Sequence, residues 1–267
     1  MVNVSYKPLI DDMVWSYSRI GAFNDCPYSF FLRYIKKSEE TDKFYASYGS
    51  FIHKLLERYY KGKLNKDEML TTFLLDFTKE VRGVRPKEDT IRKYIEAGSE
   101  YLRNFSPFPY NMIAVEKKVE FSINKYNFVG FIDYLGEKDG KLYIVDNKSR
   151  ALKPRSNRDK ATAKDMELDD MLKQLYLYSV AIEQEYGILP EALCFNCFRN
   201  GVFIKEQFDI QKYEETKRWA VDCIEKISQT EEFTPNRDFF YCFYICGMSD
   251  HCEYDIKARE EYRKNEN

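Results

Sequence analysis

Two acids and a lysine stand close together in the middle of this 267-residue chain. Asp133 sits among Phe131, Ile132, Tyr134 and Leu135, and Asp146 closes the apolar run 142–145 two residues before Lys148. A carboxylate inside an apolar run loses hydration, so it stays there only with a partner or a task. Two such carboxylates offer hard oxygen ligands to Mg2+ or Mn2+, and a cation so held lowers the pKa of bound water and offsets phosphate charge. Lys148, two residues beyond Asp146, returns to the same strand face, where its ammonium can orient the attacking water or stabilise developing phosphorane charge. That chemistry is metal-assisted hydrolysis of a phosphodiester. The Asp-x-Lys spacing alone equally describes an ordinary charged surface hairpin.

The elements that must position these groups read as two strands around a tight turn. Apolar and aromatic residues fill 128–135 and 142–145, with Asp139-Gly140 between them as a hairpin signal. Residues 112–123 form a further strand, turned into the Asp133 strand by Asn124-Lys125. Upstream, Ser16 and Ser18 can cap a helix through about Asn24, and Cys26-Pro27 restarts one whose Tyr28, Phe31, Leu32 and Ile35 face the core. Residues 1–13 read as a tail or an added edge strand.

Residues 47–60 form a helix ended by Gly62, burying Phe51, Leu55, Leu56 and Tyr59 and carrying His53 and Glu57 on another face. Helices over 66–81, capped by Asn65, and 87–105, opened by Pro86, form a layer over the core. Downstream, a helix over 168–186 puts Gln174 and Tyr178 one turn apart. Strands 192–198 and 202–208 flank Asn200-Gly201, and the amphipathic helix 212–228 follows. The fold class is α/β, a mixed sheet flanked by helices.

Five segments, WSYSRIGAFNDCPYSFFLRYI, YGSFIHKLLERYY, GFIDYL, LYIVDNKS and QLYLYSVAI, stand in that order. They resemble the RecB-like branch of the PD-(D/E)XK nuclease superfamily, which also holds AddB-like and CRISPR-associated spacer-acquisition nucleases. The resemblance runs from Trp15 to about Tyr254. It implies a restriction-endonuclease-like domain over 1–267: a helical part (14–110), a nuclease core (111–230) and a cysteine-rich segment (231–267). It implies that Asp133, Asp146 and the His53 of Gly49-x3-His53-x3-Glu57 hold the metal, and that Lys148 is catalytic. Gln174 would steady the metal site or the phosphate, and Tyr178 would line the substrate channel. Asp146 stands where many members carry Glu. A Glu in the strand of Glu116 often lies near the metal in this family, although by residue type alone Glu116 is an exposed strand residue. The implied cofactor is Mn2+ or Mg2+, and imidazole favours Mn2+.

Seven cysteines are present, and Cys242, Cys246 and Cys252 fall within eleven residues. Resemblance to the iron-sulfur members supplies the fourth ligand, Cys26 before Pro27, so that four thiolates hold a 4Fe-4S cluster. The C-x3-C spacing of Cys242 and Cys246 departs from the commoner C-x2-C, which leaves structural Zn2+, with His251 replacing one thiol, as the rival. By analogy with a disulfide of that span, closing the loop stabilises by about 5 kcal/mol. Cys194 and Cys197 read as core residues, although C-x2-C is also a zinc spacing.

Residues 148–164 carry Lys148, Arg150, Lys153, Arg155, Arg158, Lys160 and Lys164 against Asp159, a local +6 in a chain of net charge -2. A charge run is usually a solvated loop. This one begins at the candidate catalytic lysine, so Arg150, Lys153, Arg155, Arg158 and Lys160 are assigned to a mobile loop that contacts DNA phosphates without reading sequence. With 44% hydrophobic and 32% charged residues the composition is that of a soluble globular protein. The sequence offers neither a run of 18 apolar residues nor a basic-then-apolar start, so no membrane span and a cytoplasmic location are expected.

Three function classes follow. The first is a metal-dependent DNA exonuclease of recombination, repair or phage DNA processing. The second is its CRISPR-associated form, processing spacer precursors in an integrase complex. The third is a DNA-binding module with a vestigial site. Helicase motifs are absent, so the substrate expected is single strands or frayed ends, or duplex opened by a helicase partner.

Overall fold

The computed structural model describes residues 6–158 and 160–254. Its centre is a five-stranded sheet in the order β1 (Asn111–Ile123), β2 (Tyr126–Lys138), β3 (Lys141–Lys148), β4 (Ala192–Cys197), β5 (Val202–Gln207). The pairs β1–β2, β2–β3 and β4–β5 are antiparallel, whereas β3–β4 is parallel, so the sheet is mixed. The β2–β3 turn is Asp139-Gly140, both at positive φ (54° and 74°), which two-residue hairpins of this hand require. Hairpins can join β1, β2 and β3, but the parallel step from β3 to β4 needs a crossover, which the helix Ala163–Tyr186 supplies.

Side-chain alternation in β3 sorts the sheet's two faces. Leu142 and Ile144 enter the core beneath that crossover helix, whereas Tyr143 and Val145 join Phe108 and Tyr134 on the other side. Asp146 and Lys148 continue the Leu142–Ile144 parity toward the crossover helix. Helices α1 (Lys7–Asp11), α2 (Tyr17–Asp25), α3 (Pro27–Phe30), the crossover helix α7 and α8 (Ile210–Ser228) cover the first face. Helices α4 (Phe44–Tyr60), α5 (Lys66–Glu80) and α6 (Glu88–Asn104) form a layer with its own core of Tyr48, Phe51, Leu55, Phe73 and Phe77.

Helix starts follow side-chain chemistry. Ser16 caps α2 by accepting from the Arg19 amide, and Asn65 with Glu68, and Thr162 with Asp165, form reciprocal capping boxes. The Thr162 box starts α7 at Ala163, five residues before the apolar periodicity becomes legible. The tail or edge strand expected over the first residues is, from Lys7 to Asp11, a short helix lying against α8; residues 1–5 lie outside the described residues. Beyond Phe30 the helix widens to a π-turn over Phe31–Ile35. The turn shifts the buried face, so Phe30 is fully enclosed while Phe31 and Ile35 are half-buried.

Candidate active site

The antiparallel register sets the acids. Val115 pairs with Tyr134 and Lys117 with Ile132, so Glu116 on β1 lies across from Asp133 on β2. Glu116 takes a left-handed backbone (φ 50°), a strained conformation for a non-glycine residue. Asp146 lies one strand further on, next to the Tyr134–Val145 pair. From α4, His53 comes down over the same end of the sheet, its Nδ1 3.4 Å from Asp133 Oδ2 and 3.9 Å from Glu116 Oε1. Ligand atoms of His53, Glu116 and Asp133 all lie within 4.8 Å of one another.

The second half of the site is a polar chain from strand to helix. Lys148 Nζ lies 2.8 Å from Asp146 Oδ2 and donates to Gln174 Oε1 at 2.6 Å, and Gln174 Nε2 donates to the Tyr178 hydroxyl at 3.0 Å. Tyr178 packs flat over Gly130 of β2, where a Cβ would overlap its ring. Both groups border one cleft of about 670 Å3, with Ser16, Tyr45, Lys54 and Glu57 at its rim.

The electrostatics fit a cation. Burial, then the neighbouring Asp146, pushes Asp133 well above the usual carboxylate range, and burial, then Asp133, pushes Glu116 up to about 7. Enclosure likewise lowers the His53 pKa, keeping the imidazole neutral and able to bind metal. Asp146 Oδ2 is buried and, despite its nearness to Lys148, receives no aligned hydrogen bond. Repelling acids, an unsatisfied carboxylate oxygen and a neutral imidazole are a donor set suited to Mn2+ or Mg2+.

Every residue expected to act here is in this cleft: His53, Asp133, Asp146, Lys148, Gln174 and Tyr178. Glu116, ambiguous by type, belongs to the acid group. Sequence reasoning missed Asn147. Its amide donates to Asp133 Oδ2 at 2.6 Å, its carbonyl lies 2.9 Å from His53 Nε2, and its side-chain oxygen accepts from Asn196 at 2.7 Å. The signal was present, because Asn147 and Asn196 are, like Asp133, polar residues in apolar strands.

The basic run divides. Lys153, Arg158 and Lys160 are exposed, and exposed Arg150 lies 3.6 Å from Glu167. Arg155, assigned to phosphate contact, instead turns inward, its guanidinium paired with Asp169 at 2.7 Å and Glu206 at 2.8 Å. The mobile loop expected there is laced down. Leu152 is buried, and Asp165 accepts from the amides and hydroxyls of Ser156 and Thr162, which hold its carboxyl well below the usual range.

Cys26 lies against the segment that carries Cys242 and Cys246. Cys26 Sγ accepts from the amides of Ser29 (3.4 Å) and Asn236 (3.3 Å). Cys246 Sγ lies 3.4 Å from Ser29 Oγ, and Cys242 Sγ lies 3.4 Å from the Asn236 carbonyl. Cys252 packs on the same core as Cys26 and Cys246. Cys194 and Cys197 are buried strand residues whose thiols burial pushes up to about 12 and about 11.

A candidate exonuclease from Eubacterium rectale shares the fold, with a TM-score of 0.52 at 14% identity over 94% of this chain and 90% of its own. A second structure, SSO0001, aligns with a TM-score of 0.31 at 18% identity over 72% of this chain and 99% of its own. No curated protein matches the chain. Among the described residues no helix is long and apolar enough to cross a membrane. Residues 14–255 match the family model of the PD-(D/E)XK nuclease superfamily, over a fold and an acid–lysine site that suit it, and the chain belongs to that superfamily.

Proposed function

We propose that this protein is a metal-dependent DNA exonuclease whose active site is the cleft of His53, Glu116, Asp133, Asp146, Lys148 and Gln174. The observation that carries the reading is the convergence of His53, Glu116 and Asp133 ligand atoms within 4.8 Å, beside the Asp146–Lys148–Gln174 chain. The designation of the Eubacterium rectale protein favours cleavage from ends.

His53, Glu116, Asp133 and Asp146 would hold Mn2+ or Mg2+, which supplies an acidified water and offsets phosphate charge. Lys148 has three donors, of which Gln174 engages one, while Asp146 holds the ammonium as an ion pair at 2.8 Å. A remaining donor can hold the attacking water or a non-bridging phosphate oxygen. Gln174 fixes the direction of that donor, since its amide is itself held by the Tyr178 hydroxyl, which burial keeps protonated. Asn147 maintains the distance between Asp133 and His53 through its backbone.

The cysteine group is read as a 4Fe-4S site of structural role. Four thiols from residues 26 and 242–252 are the soft donors that such a cluster takes. Two backbone amides aimed at Cys26 Sγ suit a thiolate.

The test is digestion of end-labelled single- and double-stranded DNA by anaerobically purified protein with Mn2+, Mg2+ or EDTA, beside Asp146→Ala. Metal-dependent mononucleotide release lost in the variant is expected. No cleavage by the intact protein with any metal would sink the reading, and internal cuts without end dependence would replace exonuclease by endonuclease.

A further inference from the structure

The cleft does not end at the acids. Tyr45, in the first turn of α4, lines its rim and also touches the cysteine-rich segment, its ring 6.0 Å from Phe240 and 6.2 Å from Tyr244. Phe240 and Tyr244 lie one helical turn apart with centroids at 5.4 Å, and Phe239 and Phe243 repeat the arrangement as a stacked pair at 5.6 Å. Phe240 is 52% exposed and Phe239 39%, an unusual amount for rings. This aromatic strip is continuous with a cleft whose family acts on phosphodiesters.

Rigidity and charge point the same way. Lys43 reaches across from the start of α4, its ammonium donating to Ser249 Oγ at 2.6 Å and to the Phe243 carbonyl at 3.3 Å, so the strip is fixed to the helix that carries His53. Residues 239–249 carry no acid of their own, with Asp238 and Asp250 at their two ends and Glu40 against Gly247. A cation lies at hand too, since the Arg199 guanidinium sits 4.1 Å over Tyr94, whose ring is 5.3 Å from Tyr45. Exposed rings that run out of a phosphate-handling cleft, with an arginine close to Tyr45, are the parts of a single-strand binding track. Every base offers a π-face for stacking, and paired bases in a duplex do not.

We propose that Tyr45, Phe240 and Tyr244 form a base-stacking platform that holds the single strand whose end is in the catalytic cleft. The substrate class is thereby unpaired DNA several nucleotides long, engaged through its bases at the platform and through phosphate at the acids. This deepens the exonuclease reading and rests on it for the direction of the strand.

The test is fluorescence anisotropy of the full chain with labelled 12-nucleotide single strands, and with blunt duplexes of equal length, in EDTA so that nothing is cut. Phe240→Ala/Tyr244→Ala is compared with the parent, and thermal denaturation serves as the folding check. The expected result is a loss of about tenfold or more in single-strand affinity, with duplex affinity unchanged and the melting temperature retained. Should the variant melt early, Tyr45→Leu, which keeps apolar contact but not the aromatic face, must show the same selective loss. Equal affinities in parent and variants overturn the platform. So does an equal loss for strand and duplex, or a changed oligomeric state with unchanged strand binding, which would make the strip a protein-docking face. Because binding is read without metal, a selective loss stands even if no cleavage is found with any metal, whereas failure of the platform leaves cleavage untouched.

Discussion

The amide of Asn147 donates to Oδ2 of Asp133 at 2.6 Å, so the residue between Asp146 and Lys148 is tied to the acid on the neighbouring strand. Its carbonyl meets His53, and its side chain meets Asn196, whose amide also donates to the Tyr101 hydroxyl at 2.7 Å. Three site residues thus depend on a buried polar chain that ends on α6. Asn196→Leu should strand the Asn147 oxygen, costing about 1–3 kcal/mol of stability. Mn2+ affinity should fall with it, read by calorimetric titration of folded variant at low temperature. Unchanged Mn2+ affinity would free the site from this support.

Lys148 and Gln174 should separate in kinetics. Lys148→Ala should abolish cleavage while leaving DNA binding within about twofold, since the lysine acts on the reacting phosphate and not on affinity. Gln174→Ala leaves the ammonium present but loosely aimed, and should lower the single-turnover rate about tenfold to a hundredfold, in the range of a misplaced general-acid or base group. Equal rates in Gln174→Ala and parent would deny the glutamine a positioning role.

Glu116 predicts a pH dependence of stability. Its carboxyl ordinarily titrates near 4.5 and here near 7, so the metal-free native state holds a proton that the unfolded chain has lost. The native state binds more protons across that window, and stability from this group therefore falls as pH rises from about 4.5 to 7. His53, with its lowered pKa, acts in the opposite sense below its ordinary 6.5. The Glu116→Gln variant isolates the acid: its urea midpoint should exceed that of the parent by a margin that grows from pH 5 to 7. Saturating Mn2+ should remove or reverse the margin. A margin independent of pH would refute the shift.

Arg155 and its neighbours in the basic run should fail differently. Arg155→Ala breaks pairs with Asp169 and Glu206 that anchor the loop to α7 and β5, and should lower stability with little effect on the salt dependence of DNA binding. Neutralising exposed Lys153, Arg158 and Lys160 together should instead flatten the log–log salt plot by about 2–3 units of slope without moving the melting temperature. The reverse pattern would return Arg155 to the DNA-contacting surface.

The catalytic strands were legible because burying a carboxylate leaves a mark in sequence: Asp133 among apolar residues, and Asp139-Gly140 where the chain must turn. Helix positions followed caps and periodicity, though α7 began early because Thr162 and Asp165 capped it. Composition shows that charges cluster but not which of them are paired: the partners of Arg155, Asp169 and Glu206, lie 14 and 51 residues away. Glu116 stayed ambiguous for a related reason. Only the register across β1 and β2 sets it against Asp133, and register is a tertiary fact.

The meeting of Cys26 with Asn236, and of Ser29 with Cys246, also fixes an order of events during synthesis. Chain emerges amino end first, so α2 and α3 leave the ribosome more than 200 residues before the amide that reaches Cys26 exists. The histidine, acids, lysine and glutamine of the cleft, residues 53–174, are made in between. Cys26 and Ser29 cannot take up those contacts until residues 236–246 exist, so the lock on α2 and α3 closes only after every residue of the cleft has been made.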